Sequence, residues 1–189
     1  MRRFSLVSAF LLAATPAAAT DYQAAMHSYV ESGELAWLAD AAILDAVRAQ
    51  NALTVALTEA EIIAMDDTWR AQVGTADTAL VDSVLGNATA DFLRAQVAAS
   101  GGVITEIILM DAVGLNVAVS HVTSDYWQGD EAKHQDTYGV GPDAVHFSEI
   151  ELDESTQRYQ GQISVTLVDP ASGEAIGAVT IGVDAQALS

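Results

Sequence analysis

The sequence predicts an α+β domain in which a long N-terminal helix and shorter helices pack on a five-stranded antiparallel sheet. Three observations lead there. Apolar residues recur at helical spacing up to Ala99. From Val103 onward they alternate, or run in short blocks cut by turn residues, as strands do. The chain contains no cysteine, so packing alone must hold it together.

Residues 1–19, MRRFSLVSAFLLAATPAAA, set two arginines before an apolar run and end in small residues. That layout is a secretory signal peptide, cleaved after Ala19. The apolar run is shorter than the roughly 20 residues a membrane-spanning helix needs, and no later segment supplies one. Residues 20–189 are then expected to form one periplasmic domain, without repeat, linker or membrane insertion.

Residues 21–50 read as the long helix, with Val30, Trp37, Ala41 and Leu44 on one face and Gly33 able to interrupt it. Thr58 and Glu61 have capping-box spacing and start a second helix, whose apolar face is Ile62, Met65 and Trp69. A third helix fits 89–99, with Phe92, Leu93 and Val97 inward and Ser100-Gly101-Gly102 as its stop. Trp37 and Trp69 are expected in the core. Residues 103–110 and 115–120 form a hairpin around Asp111-Ala112-Val113-Gly114. A middle strand covers 145–152, and a second hairpin joins 162–168 to 175–183 through Asp169-Pro170. The helices are expected over one face of this sheet.

Charge narrows the function classes. With 26 acidic residues against 7 basic, the net charge is −19, and loss of Arg2 and Arg3 with the leader deepens it. Nucleic acid and anionic membrane surfaces need basic patches, which this chain lacks.

One stretch departs from the alanine- and valine-rich texture: SDYWQGDEAKHQDTY, residues 124–138, in the long connection after the first hairpin. Long connections inside a domain usually carry function. Tyr126, Trp127 and Tyr138 offer flat apolar faces with polar tips. With Asp125 or Asp130 they can hold an amine through charge and cation–π attraction. The opposing reading makes the aromatics a plug over the sheet and Ser124, Asp125 and Asp130 caps of a helix starting near Gly129. Lys133, the single lysine, fits a surface ion pair with a neighbouring carboxylate.

Several pieces together resemble the Cache, or PDC, family of PAS-like extracytoplasmic sensor domains: GLNVAVS at 114–120, TSDYWQGDE at 123–131, DEST at 153–156 and IGAVTIGV at 176–183. The resemblance covers most of the chain after the leader and is closest to small stand-alone periplasmic members. It implies a small-ligand pocket between the curved sheet and the connection after the second strand. Most such domains sit between two membrane helices, whereas this sequence has none after its last strand. Output would therefore pass through a partner such as a membrane sensor.

Metal and catalytic readings find less support. Glu131 and His134 have Glu-x-x-His spacing, but a carboxylate-bridged di-iron site needs a second such motif and two more glutamates. The four histidines are scattered, no zinc motif is present, and no calcium loop surrounds Asp125, Asp130 and Asp136. No cofactor is expected. Ser120 and His121 are adjacent, and neighbours on a strand point to opposite faces, which excludes a nucleophile–base pair there.

Two functions are expected from these readings. One is a non-catalytic small-ligand sensor module lined by Tyr126, Trp127, Asp130 and Tyr138, with Asp125, Asp111 and Ser120 contributing. Its ligand would be a small organic molecule such as an amine or amino acid. The other is an interaction protein that forms a homodimer through the N-terminal helix, its pocket filled by its own aromatics. A cavity around Trp127 favours the first. An exposed apolar stripe on 21–50 favours the second.

Overall fold

The computed structural model describes residues 16–153 and 158–188. Most of the expected leader, 1–15, and positions 154–156 of the DEST piece lie outside the described residues.

Among the described residues five α-helices precede the sheet: α1 (Pro16–Glu31), α2 (Ala41–Thr54), α3 (Glu59–Gln72), α4 (Ala79–Leu85) and α5 (Ala88–Ala99). The single long helix expected over 21–50 is two helices. Gly33 takes a positive φ of 85°, a conformation that glycine adopts without Cβ strain. A 3-10 turn at Ala36–Ala39 then redirects the chain, and Asp40 caps α2 by accepting the Ala42 N–H at 2.8 Å. The break also dissolves the expected stripe, since Leu44 is buried while Ala41 faces solvent. The capping box at Thr58 and Glu61 forms as its spacing requires. Trp69 is fully buried, and Trp37 packs on Phe92. The short α4 spans only seven residues, with Val81 and Val84 buried, too few to establish a helical period.

The strands are β1 (Ile104–Asp111), β2 (Asn116–Val119), β3 (Val145–Phe147), β4 (Glu151–Asp153), β5 (Arg158–Val168) and β6 (Ala175–Asp184); the short α6 (Ala132–Gln135) lies between β2 and β3. They form one antiparallel sheet in the order β2-β1-β6-β5-β3, with β4 also paired to β5. The sheet thus has six strands rather than five. The stretch 145–152 bends away between Phe147 and Glu151 and meets β5 twice, because β5 is 11 residues long and each segment covers only three of its positions.

Helices cover both faces, not one. On the first face Met26, Ile43, Val47 and Leu93 meet Ile107, Leu109, Ile163, Val165, Val179 and Ile181. On the opposite, distal face Ile62, Trp69, Val81 and Val84 from α3 and α4 pack with Tyr126 onto Ile108, Met110 and Ala178. Strand alternation sends successive residues to the two cores, so β6 is buried from Gly177 to Asp184.

Candidate functional site

The distal face changes character along its strands. Register places Thr166, Ala178, Met110 and Asn116 in one row and Ser164, Thr180, Ile108 and Val119 in the next. Beyond them come Gln162, Gly182 and Glu106, then Gln160 and Asp184. The face therefore runs from apolar through hydroxyl-bearing to charged. Helix α6 packs over β3, β5 and β6, and the connection before it roofs the apolar end.

That roof consists of the residues singled out in the sequence. Tyr126 is 5% exposed and stacks on Trp69 with ring centroids 5.5 Å apart. Burial, with the Asp111 charge adding to it, pushes its hydroxyl up to about 12. Trp127 donates its indole N–H to the Val113 carbonyl at 2.9 Å, and a bridge pairs it with Leu115. The Tyr126 and Trp127 amides both donate to Asp66 on α3, at 2.8 and 3.0 Å. Arg70 spans Asp66 and Asp125, at 2.6 and 2.7 Å. The Ser124 hydroxyl, joined by Arg70 against partial burial, holds the Asp125 carboxyl below its ordinary range. Tyr138 stacks on His134 at 5.2 Å. Asp130 is exposed. Helix α6 starts at Ala132 after Glu131, which makes no side-chain cap bond, so Ser124, Asp125 and Asp130 do not cap it. Lys133 pairs with Glu131 at 3.0 Å and also reaches Gln128.

Asp111 and Ser120 brace the β1–β2 hairpin. The fully buried Asp111 carboxylate accepts from Gln50, Thr54, Val113 and Leu115, all within 3.0 Å. His134 donates its Nε2–H to the Asp111 carbonyl at 3.2 Å; a carbonyl only accepts, which assigns the tautomer. Burial pushes the His134 imidazole down, with the Asp111 contact opposing it.

Ser120 and His121 meet, contrary to expectation: Oγ lies 3.0 Å from Nδ1. Strand β2 ends at Val119, so alternation no longer separates the two side chains. The Ser120 hydroxyl is nevertheless buried and accepts the Ile107 amide at 2.8 Å. It is not an approachable nucleophile.

The open space lies at the polar end. A cleft of about 380 Å³ is lined by Glu106, Gln160, Gln162 and Gly182 on the sheet, by Ser148 and Glu149 after β3, and by Glu151 and Leu152 on β4. A shallower concavity continues from Glu106 and Gln160 to Thr105, Arg158 and Asp184. None of Asp111, Ser120, Asp125, Tyr126, Trp127, Asp130 or Tyr138 lines either one.

Local structure explains the cleft. Register shifts between Ile104 and Glu106, and such a bulge turns two successive side chains to one side. A Cβ on Gly182 would stand 2.6 Å from Glu106 Cγ and 2.7 Å from Thr105 Oγ1. Glycine there gives both side chains room across β6. Glu106 accepts from Gln162 Nε2 at 3.2 Å. The sequence carried a weak signal for this site: Glu106 interrupts an otherwise apolar run, and Gln160 and Gln162 alternate with apolar residues. Among the described residues no three His, Asp or Glu side chains converge to hold a metal.

No protein-family model and no curated protein matches the chain. Solved structures to which it shows similarity include three bacterial domains. The sensor domain of the Vibrio cholerae histidine kinase DctB is 12% identical, with a TM-score of 0.47 over 91% of this chain and 55% of that one. The ligand-binding domain of the Campylobacter jejuni chemoreceptor Tlp3, solved with 4-methylisoleucine, is 10% identical, with a TM-score of 0.42 over 91% and 57%. The ligand-binding domain of the Pseudomonas aeruginosa amino acid chemoreceptor PctC, solved with GABA, is 15% identical, with a TM-score of 0.39 over 70% and 63%. The chain spans little more than half the length of the first two.

Proposed function

We propose that this protein is a non-catalytic, sensor-type module that binds a small organic molecule on the open, polar half of the distal sheet face. One observation carries the reading: among the described residues the cleft floored by Glu106, Gln162 and Gly182 is open, whereas α3, α4 and the 123–138 connection cover the apolar end of the same face. Its volume of about 380 Å³ lies in the range of small-molecule sites. Tyr126, Trp127, Tyr138, Asp111 and Asp125 then act as the roof and frame of the binding face, with Ser120 bracing the hairpin behind them. The aromatics pack into the apolar end of the same face.

Dimerisation through the N-terminal helices has less support. Among the described residues, 22–50 present no large apolar side chain as exposed as those at Leu53 and Val55. Among the described residues no helix is long and apolar enough to cross a membrane. The leader read from residues 1–19 supports export to the periplasm, where a separate partner would carry any signal.

A thermal-shift screen of residues 20–189 against amino acids, amines, carboxylates and purines tests the proposal. A true ligand at a hundred times its dissociation constant stabilises by about 2.7 kcal/mol. The expected hit disappears in Gly182→Val and Gln162→Ala and survives in Tyr138→Phe. A hit lost in Tyr138→Phe but kept in both cleft variants would move the site beneath the roof and refute this assignment.

A further inference from the structure

Resting on the cleft as the binding face, we infer that α1 is a latch on the cleft's outer wall. Docked, it holds residues 148–152 in place; released, it frees that wall and opens the cleft. The wall has two sides. Ser148, Glu149, Glu151 and Leu152 line the cleft, whereas Phe147 and Ile150 pack with the core of the first face. Pairing with β5 lapses between Phe147 and Glu151, so this stretch needs support from elsewhere.

One face of α1 supplies it. Gln23 donates its Nε2–H to the Ser148 carbonyl at 2.9 Å. One turn further on, the His27 ring lies against Phe147 with centroids 4.0 Å apart. The fully buried Met26 closes over Gly161, where a Cβ would stand 3.0 Å from its sulfur and 3.4 Å from Ile150 Cγ1. Glycine at 161 thus lets helix and wall meet across β5. The grip extends to the floor of the cleft. Ser148 Oγ accepts the Gln162 amide at 2.8 Å, and the Ser148 N–H donates to the Gln162 carbonyl at 2.9 Å. The Gln162 side chain in turn reaches Glu106. Dependence runs both ways: among residues 22–31 Met26 alone is buried, and a helix draws most of its stability from such packing. By linkage, a molecule that fills the cleft against 148–152 steadies α1, and a partner that takes hold of α1 changes the cleft's affinity by the same factor.

Amide hydrogen exchange of residues 20–189, without any ligand, tests the latch. Gln23→Glu keeps the side-chain volume but turns a carboxylate toward the Ser148 carbonyl, and His27→Ala removes a solvent-exposed ring. Each is expected to speed exchange at Ser148 and Gln162 by about fivefold. Leu109 and Val179 in the core and Tyr126 in the roof are expected to stay unchanged. The reciprocal variant Ile150→Ala is expected to speed exchange at Met26 and His27. A nitroxide on Glu149→Cys, the sole thiol in a chain without cysteine, is expected to become more mobile in both α1 variants. Faster exchange within α1, with Ser148, Gln162 and the nitroxide unchanged, would overturn the latch and leave α1 riding on an independent wall. Acceleration spread evenly to Leu109 and Val179 would overturn it too, as a loss of global stability. An empty thermal-shift screen would overturn the binding proposal alone, since no ligand enters this measurement.

Discussion

Gly114 carries two demands at once. Its φ is 87°, and a Cβ there would stand 2.4 Å from the Gly129 Cα. The hairpin turn and the roof touch backbone to backbone, with Gln128 N–H donating to the Gly114 carbonyl at 2.8 Å. Gly33 has a nearly equal φ of 85° with nothing within 4 Å of the same position. Gly33→Ala is expected to cost about 1 kcal/mol for left-handed backbone alone. Gly114→Ala is expected to cost at least twice that in urea unfolding, since backbone must move. Equal costs would mean that the contact with Gly129 does not constrain the fold. His134 supplies a pH signature. Its folded pKa is lowered by burial, so the unfolded chain takes up the proton first. The native advantage is whole above the unfolded value of about 6.5 and is lost as pH falls below it toward the folded value. The stability gap between the wild type and His134→Gln should therefore narrow as pH drops from 7 to 5. A gap independent of pH would show that burial does not lower the His134 pKa in the folded chain.

At the scale of elements, α3 grips the connection through one carboxylate. Asp66 is 4% exposed and receives both the Tyr126 and Trp127 amides as well as Arg70. Asp66→Ala would strand two amide donors, at about 1–3 kcal/mol each. A loss of about 3 kcal/mol is expected, together with a changed tryptophan fluorescence as Trp127 and the Trp69–Tyr126 stack loosen. A loss below about 1 kcal/mol would mean that the roof is held by its aromatics alone. This grip was not legible in the sequence, because Asp66 and Tyr126 lie 60 positions apart and no motif links them. What was legible is local: the Thr58–Glu61 box, the Asp111–Gly114 turn and the alternation of β5. The break after α1 hinged on a single glycine within a continuous helical pattern. The bend within 145–152 depended on how much of β5 remained free to pair.

At the scale of the whole molecule, the distal face grades from Met110 and Ala178 under a roof to Glu106 and Gln162 in the open. The sequence showed the roof, since aromatic and acidic residues crowd into 124–138, and composition drew attention there. It hid the cleft, whose walls come from β1, β5, β6 and the stretch 148–152, so that no single segment carries its pattern. Only the register of the sheet brings Glu106, Gln162 and Gly182 side by side.

Amide chemical-shift mapping of the isotope-labelled chain, titrated with the best-binding probe, tests the central claim most directly. The account predicts saturable shifts clustered at Glu106, Gln160, Gln162 and Gly182, with Tyr126, Trp127 and Tyr138 unmoved. Shifts centred on Tyr126, Trp127 and Tyr138, with the cleft residues silent, would contradict it.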